Sequence, residues 1–128
     1  MGASLAMQRL MVAALSGLDG VNGVFDGPPA DAEPPYLVIG PELLSDWSTK
    51  SGAGHEHRVQ VRVWDRGRSG ARVRPLMAAV EAALADLGGT LDGHRLVSSR
   101  FVRATVLGDG DDWIQGLVEF RLRSSAVA

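Results

Sequence analysis

An α+β fold is predicted for this chain: a four-stranded, mainly antiparallel sheet from two hairpins, with two helices packed against it. Three observations predict it. Two segments repeat their apolar residues at helical spacing, four others read as strands, and turn-forming residues separate them. The resulting order is helix, strand, strand, helix, strand, strand. Two amphipathic helices must bury their stripes, and a sheet face is the available partner. The length of 128 residues suits one domain, residues 1–128, with a single core.

The first helix is carried by Met7, Leu10, Met11, Ala14, Leu15 and Leu18, with Gly17 and Gly20 marking its end. The stretch from Met1 to Gly17 has no early positive region, and Gln8 and Arg9 interrupt it, so it reads as a helix and not as a secretion signal. Gly23 to Pro35, with its Pro28-Pro29 and Pro34-Pro35 pairs, reads as an extended connector. The first strand starts at Tyr36, reaches Gly40 and runs on to Leu44. Pro41 within it signals an edge position or a bulge. Ser45 to Gly54 is polar and glycine-containing, and is expected to be a mobile, projecting loop.

His55 to Asp65 alternates cleanly. His57, Val59, Val61 and Val63 point one way; Glu56, Arg58, Gln60, Arg62 and Trp64 point the other. After a polar turn from Arg66 to Gly70, the second helix carries Val73, Leu76, Met77, Val80, Leu84 and Leu87 on one face. Ser69 is its expected N-cap, and Gly88-Gly89 its stop. Pro75 lies in its first turns, where proline is tolerated better than in the middle. The last two strands run from His94 to Leu107 and from Trp113 to Arg123, joined by a turn of Gly108, Asp109, Gly110 and Asp111. Ser124 to Ala128 is expected to fray. The expected core is Val59, Val61, Val63, Leu76, Val80, Leu84, Phe101, Val118 and Phe120.

Composition narrows the chemistry. The net charge of −2 gives no overall field for nucleic acid. With no cysteine, disulfides and thiolate metal sites are excluded. No apolar run approaches the roughly 18–20 residues that cross a bilayer, so no membrane partner is expected. His55 and His57 share a strand face but lack a third ligand beyond His94, so no metal is expected there, and the pair reads as a partly exposed strand end. Asp109, Asp111 and Asp112 miss the later acidic ligand of a calcium loop. No serine sits in a nucleophile elbow, and His94, Asp65 or Asp46 could meet a serine only through tertiary accident. Gly52-Ala53-Gly54 precedes a strand, whereas phosphate cradles precede helices. No catalytic residue and no cofactor are expected.

Two features point to binding. Arg58, Arg62, Arg66, Arg68, Arg72 and Arg74 crowd one strand, a turn and a helix start, and Trp64 shares the face of Arg58 and Arg62. Aromatic residues are too few for a nucleic-acid stripe, so pairing with carboxylates of another subunit is the better reading. Trp47 stands in the polar loop, away from any periodic apolar face. It either folds back over the core edge or anchors a contact with another subunit.

Phe25-Asp26-Gly27-Pro28-Pro29 with Pro35-Tyr36-Leu37-Val38-Ile39-Gly40 form one recognisable stretch. Asp46-Trp47-Ser48-Thr49-Lys50 with Gly54-His55-Glu56-His57-Arg58 form a second. Val63-Trp64-Asp65-Arg66 and Leu91-Asp92-Gly93-His94-Arg95-Leu96-Val97 follow. In this order, from about Leu10 to Leu122, the chain resembles the small tail-completion, or tail terminator, proteins of long-tailed phages and of phage-derived gene transfer agents. The resemblance implies a structural subunit with no enzymatic activity. It implies a homohexameric ring that sits on the tail tube protein, stops tube growth and meets a head connector or neck protein. DNA passes through such a ring without specific recognition. Assembly is expected in the bacterial cytoplasm, followed by residence in the particle. On this reading Asp46, Trp47, Ser48, Thr49, Lys50, Arg58, Arg62 and Trp64 are the interface candidates. The rival readings are a small cytoplasmic α+β enzyme or ligand-binding domain, and a neck or head-completion protein.

Overall fold

A computed structural model describes residues 2–127, and within them two helices and six strands follow one another. They are α1 (Ala3–Leu15), β1 (Val24–Phe25), β2 (Tyr36–Asp46), β3 (Gly54–Arg66), α2 (Val73–Ala85), β4 (Thr90–Leu91), β5 (His94–Asp109) and β6 (Trp113–Ala126). The sheet order is β1-β2-β3-β6-β5-β4. The expected two hairpins, β2–β3 and β5–β6, form its centre, joined by the antiparallel β3–β6 ladder.

The four-stranded antiparallel sheet is corrected to a mixed sheet of six strands. β1 runs parallel to β2, pairing Val24 with Leu37 and Phe25 with Val38. The connector holds it there: Asn22 N–H donates to Pro35 O, and Leu37 N–H donates to Gly23 O, each at 2.9 Å. β4 pairs with the start of β5 around Asp92 and Gly93. Both turn residues have positive φ, 47° and 78°, as a two-residue hairpin turn requires.

The core lies between the helices and one sheet face. His57, Val59, Val61, Val63 and Asp65 of β3 stand opposite Leu122, Phe120, Val118, Gly116 and Ile114 of β6 on that face. Met7, Met11 and Leu15 of α1 and Val73, Leu76, Met77, Val80 and Leu84 of α2 close over it. Gly116 fixes the approach of α2, since a Cβ there would collide with Met77 Sδ and meet Val73 Cγ1 at 2.7 Å. Of the expected core, Phe101 is the exception. It pairs with Phe120 edge to face, at 5.9 Å between ring centroids, but is 43% exposed. β5 is an outer strand, and register shifts between Leu96 and Ser98 and between Phe101 and Arg103 bend it.

Pro41 behaves as its position predicts, beside a register shift between Ile39 and Glu42. Pro75 is the third residue of α2, where its missing N–H costs no helical bond. Ser69 is not the N-cap. Arg72 occupies that place, while Ser69 Oγ accepts from Ala71 N–H, so the helix starts one turn later than expected. The C-terminal strand does not fray at Ser124. β6 continues to Ala126, and Val127 N–H donates to Gly93 O at 2.9 Å, while Ala128 lies outside the described residues.

Candidate functional site

The most unusual polar arrangement is buried. His57 is fully buried, with Nδ1 3.0 Å from Glu42 Oε2 and Nε2 2.8 Å from Ser124 Oγ. Ser4 of α1 donates to the other oxygen of Glu42. A carboxylate can only accept, so Nδ1 donates to Glu42, and the other ring nitrogen meets the Ser124 hydroxyl. Hydroxyl, imidazole and carboxylate thus follow one another as in an acyl-transfer triad. Access is what is missing. Ser124 is 1% exposed and lies under the helices, so no substrate carbonyl can reach it. The chain of bonds joins α1, β2, β3 and the end of β6. Sequence reasoning placed His57 at a partly exposed strand end, and that is corrected. Ser124 and Glu42 were missed because their neighbourhood with His57 is created by the register alone.

The sheet face away from the helices carries charge. Glu119 accepts from Arg58 Nη1 at 3.1 Å and from Arg103 Nε at 3.2 Å. Glu56 accepts from Arg123 Nε at 3.1 Å. These carboxylates on central strands are each flanked by arginines from the strands beside them. Part of the arginine crowd is therefore neutralised within the chain. Arg72 forms a two-pronged pair with Asp65, which is 2% exposed, and the bond to Asp65 raises the Arg72 pKa further. Arg68 Nε donates to Asp111 O at 3.0 Å, which ties the turn after β3 to the β5–β6 turn. Arg62 Nε and Arg121 Nε are buried and have no hydrogen-bond partner among the described residues.

Arg62 borders an aromatic end of this face. Phe25, Tyr36, Trp113 and Trp64 stack edge to face in sequence, with centroids 5.8, 6.3 and 6.1 Å apart. The Arg66 guanidinium lies 4.8 Å from the Trp113 ring centroid. Trp64, Trp113, Tyr36, Arg62, Pro28 and Pro29 line a shallow concavity of about 240 Å³ there. Trp64 and Arg62 are thus brought together at one end of β3, with Arg58 in its middle and Asp46 to Lys50 at the opposite end.

At that opposite end Asp46 and Gly54 belong to β2 and β3, so the expected loop shrinks to residues 47–53. It is a bonded hairpin tip. Trp47 N–H donates to Gly54 O and Thr49 N–H to Gly52 O, both at 2.9 Å, and Ser48 Oγ donates to Asp46 Oδ1 at 2.6 Å. Trp47 is half-buried against Arg123, whose guanidinium lies 5.3 Å from the ring centroid, while Lys50 is exposed at the turn. Both readings of Trp47 meet here: it folds back on the sheet and still presents one side outward.

Residues 6–125 match the family described as Tail completion protein gp17. The tail completion protein gp17 of Bacillus phage SPP1 is 30% identical over 113 residues, 85% of this chain and 84% of that protein. A chain solved in the virion of a native gene transfer agent particle is 31% identical with a TM-score of 0.74, covering 97% of this chain and 95% of that one. The solved structure of bacteriophage SPP1 gp17 is 27% identical with a TM-score of 0.63, covering 98% and 91%.

Proposed function

This chain belongs to the tail completion protein gp17 family, and from that premise we propose that it is the ring-forming terminator of a tail. It is a structural component of a phage or gene-transfer-agent virion and not an enzyme. The finer reading is that residues 1–128 act as one tail-terminator-like domain. Six copies close a ring on the tail tube protein, halt its growth and offer a second surface to the head connector or neck protein. Assembly takes place in the bacterial cytoplasm, and DNA crosses the ring without base recognition. The observation that carries this reading is the likeness over nearly the whole chain to a component of an assembled particle.

Within this reading Asp46, Trp47, Ser48, Thr49 and Lys50, at the tip of the β2–β3 hairpin, dock on the tube or on the next subunit. Trp47 supplies area, and Asp46 and Lys50 set register by charge. Arg58, Arg62 and Trp64 belong to the charged and aromatic face, where a neighbour's carboxylates pair with the arginines. Particles assembled without this protein are the test. Electron microscopy should show overlong tubes or tails unjoined to heads, and complementation should restore joined tails of defined length. Normal joined tails in its absence would reject the reading.

A further inference from the structure

Seven large apolar side chains are exposed among the described residues, and six of them stand on two strands. Leu43, at 68% exposure, and Leu44 are on β2; Val97, Phe101, Val102 and Leu107 are on β5. The seventh, Leu5, shares a concavity with Pro41 and Glu42 beside β2. The same two strands have open backbone. β1 covers β2 only at Leu37 and Val38, so Glu42 to Asp46 has no outer neighbour. β4 covers β5 only at His94 and Arg95, so Ser98 to Asp109 has none either. A long, apolar, unpaired edge is a template for another strand.

The two edges suit each other better than themselves. β2 carries Glu42 and Asp46 and no basic residue, whereas β5 carries Arg95, Arg100 and Arg103, with Asp109 at its far tip. Like edges would set arginine against arginine or carboxylate against carboxylate. Each step from β2 through β3 and β6 to β5 is antiparallel, so β2 and β5 run in opposite directions. A second copy placed beside the first in the same orientation brings its β5 antiparallel to β2. The registers also place Glu42 level with Phe101 and Ser45 level with Ser98. Like faces meet: Leu44 and Phe101 are on the helix side, Leu43 and Leu107 on the charged side.

We infer that copies of this chain join edge to edge, the free edge of β5 in one pairing with Glu42 to Asp46 of β2 in the next, so that the sheet continues around the ring. The inference rests on the ring reading above and names its contact. The contact is head to tail, leaving one edge of each kind open until rotation closes the circle.

The absence of native cysteine makes disulfide mapping clean. Leu43→Cys is combined in turn with Ser98→Cys, Arg100→Cys and Arg103→Cys, all on the charged side, and each protein is oxidised after assembly on tails. At least one double variant should give a covalent ladder reaching the full copy number of the ring, while each single variant gives none. Leu43→Arg should melt like the parent but give at least tenfold fewer ringed tails. Dimers from a single-cysteine variant would show like edges pairing and overturn the inference. So would rings visible on the same tails with no ladder from any pair and full tolerance of Leu43→Arg. Tails that carry no ring even with the parent protein would overturn the ring reading itself, and the edge contact with it.

Discussion

His57 is the residue on which the fold's polar interior turns. Its two nitrogens tie Glu42 to Ser124, and through Glu42 they reach Ser4 of α1. His57→Ala leaves a buried hydroxyl and a carboxylate without their shared partner and opens a cavity. A loss of about 2–4 kcal/mol is expected, read from the urea midpoint. Asp65→Ala removes the partner of Arg72 and the acceptor of Arg66 N–H, at a cost of about 1–3 kcal/mol after allowance for the exposure of Arg72. The same measurement checks both. Trp47→Ala with Lys50→Ala should shift melting by only a few degrees, because Trp47 lies at the hairpin tip, outside the core, with Arg123 against its ring. In particles the double variant should impair tail completion. A far lower melting temperature would show that Trp47 holds the fold. At this scale the sequence was readable where periodicity spoke, as for Val59, Val61 and Val63. It put His57 on the valine face and expected Ser124 to fray, but could not give their bond across 67 residues, which the β3–β6 register creates.

The elements show where local signals suffice and where they do not. Both helices and the four long strands were legible from spacing alone, because one face of each packs on a single core. The two short strands were not: two residues carry no period. The Asp92-Gly93 turn that closes β4 on β5 was the available signal, since such a pair supplies the positive φ a tight hairpin needs. β1 had no local signal, because parallel pairing with β2 depends on how the proline-rich connector returns. Phe101 misled for a related reason. Its strand pattern implies a buried face, but β5 overhangs the cover that the helices give. Gly116 makes the contact between sheet and helix tight. Gly116→Ala should destabilise by about 1–3 kcal/mol, measured by urea unfolding, because Met77 and Val73 already fill the space.

For the whole molecule, one sheet face is spent on the core and the other on an arginine and glutamate lattice with an aromatic end. The apolar surface left over gathers at the sheet's open edges. Such a distribution suits a subunit that acts by contact with copies of itself and with tail neighbours. Among the described residues the series of Ser124, His57 and Glu42 is closed off, with Ser124 1% exposed. The resemblance carried by the Asp46 to Lys50 and Val63 to Arg66 stretches made the tail completion family legible in the sequence. The edges as contact surfaces were not, because exposure on a strand is decided by which neighbour the topology denies it. Cryo-electron microscopy of the junction between tail and head, in particles that carry this protein, is the most direct measurement. It should show six copies in one closed ring at the head-proximal end of the tube, with β5 of each beside β2 of the next. Density for this chain elsewhere in the particle, or at the junction without a closed ring, would contradict the account.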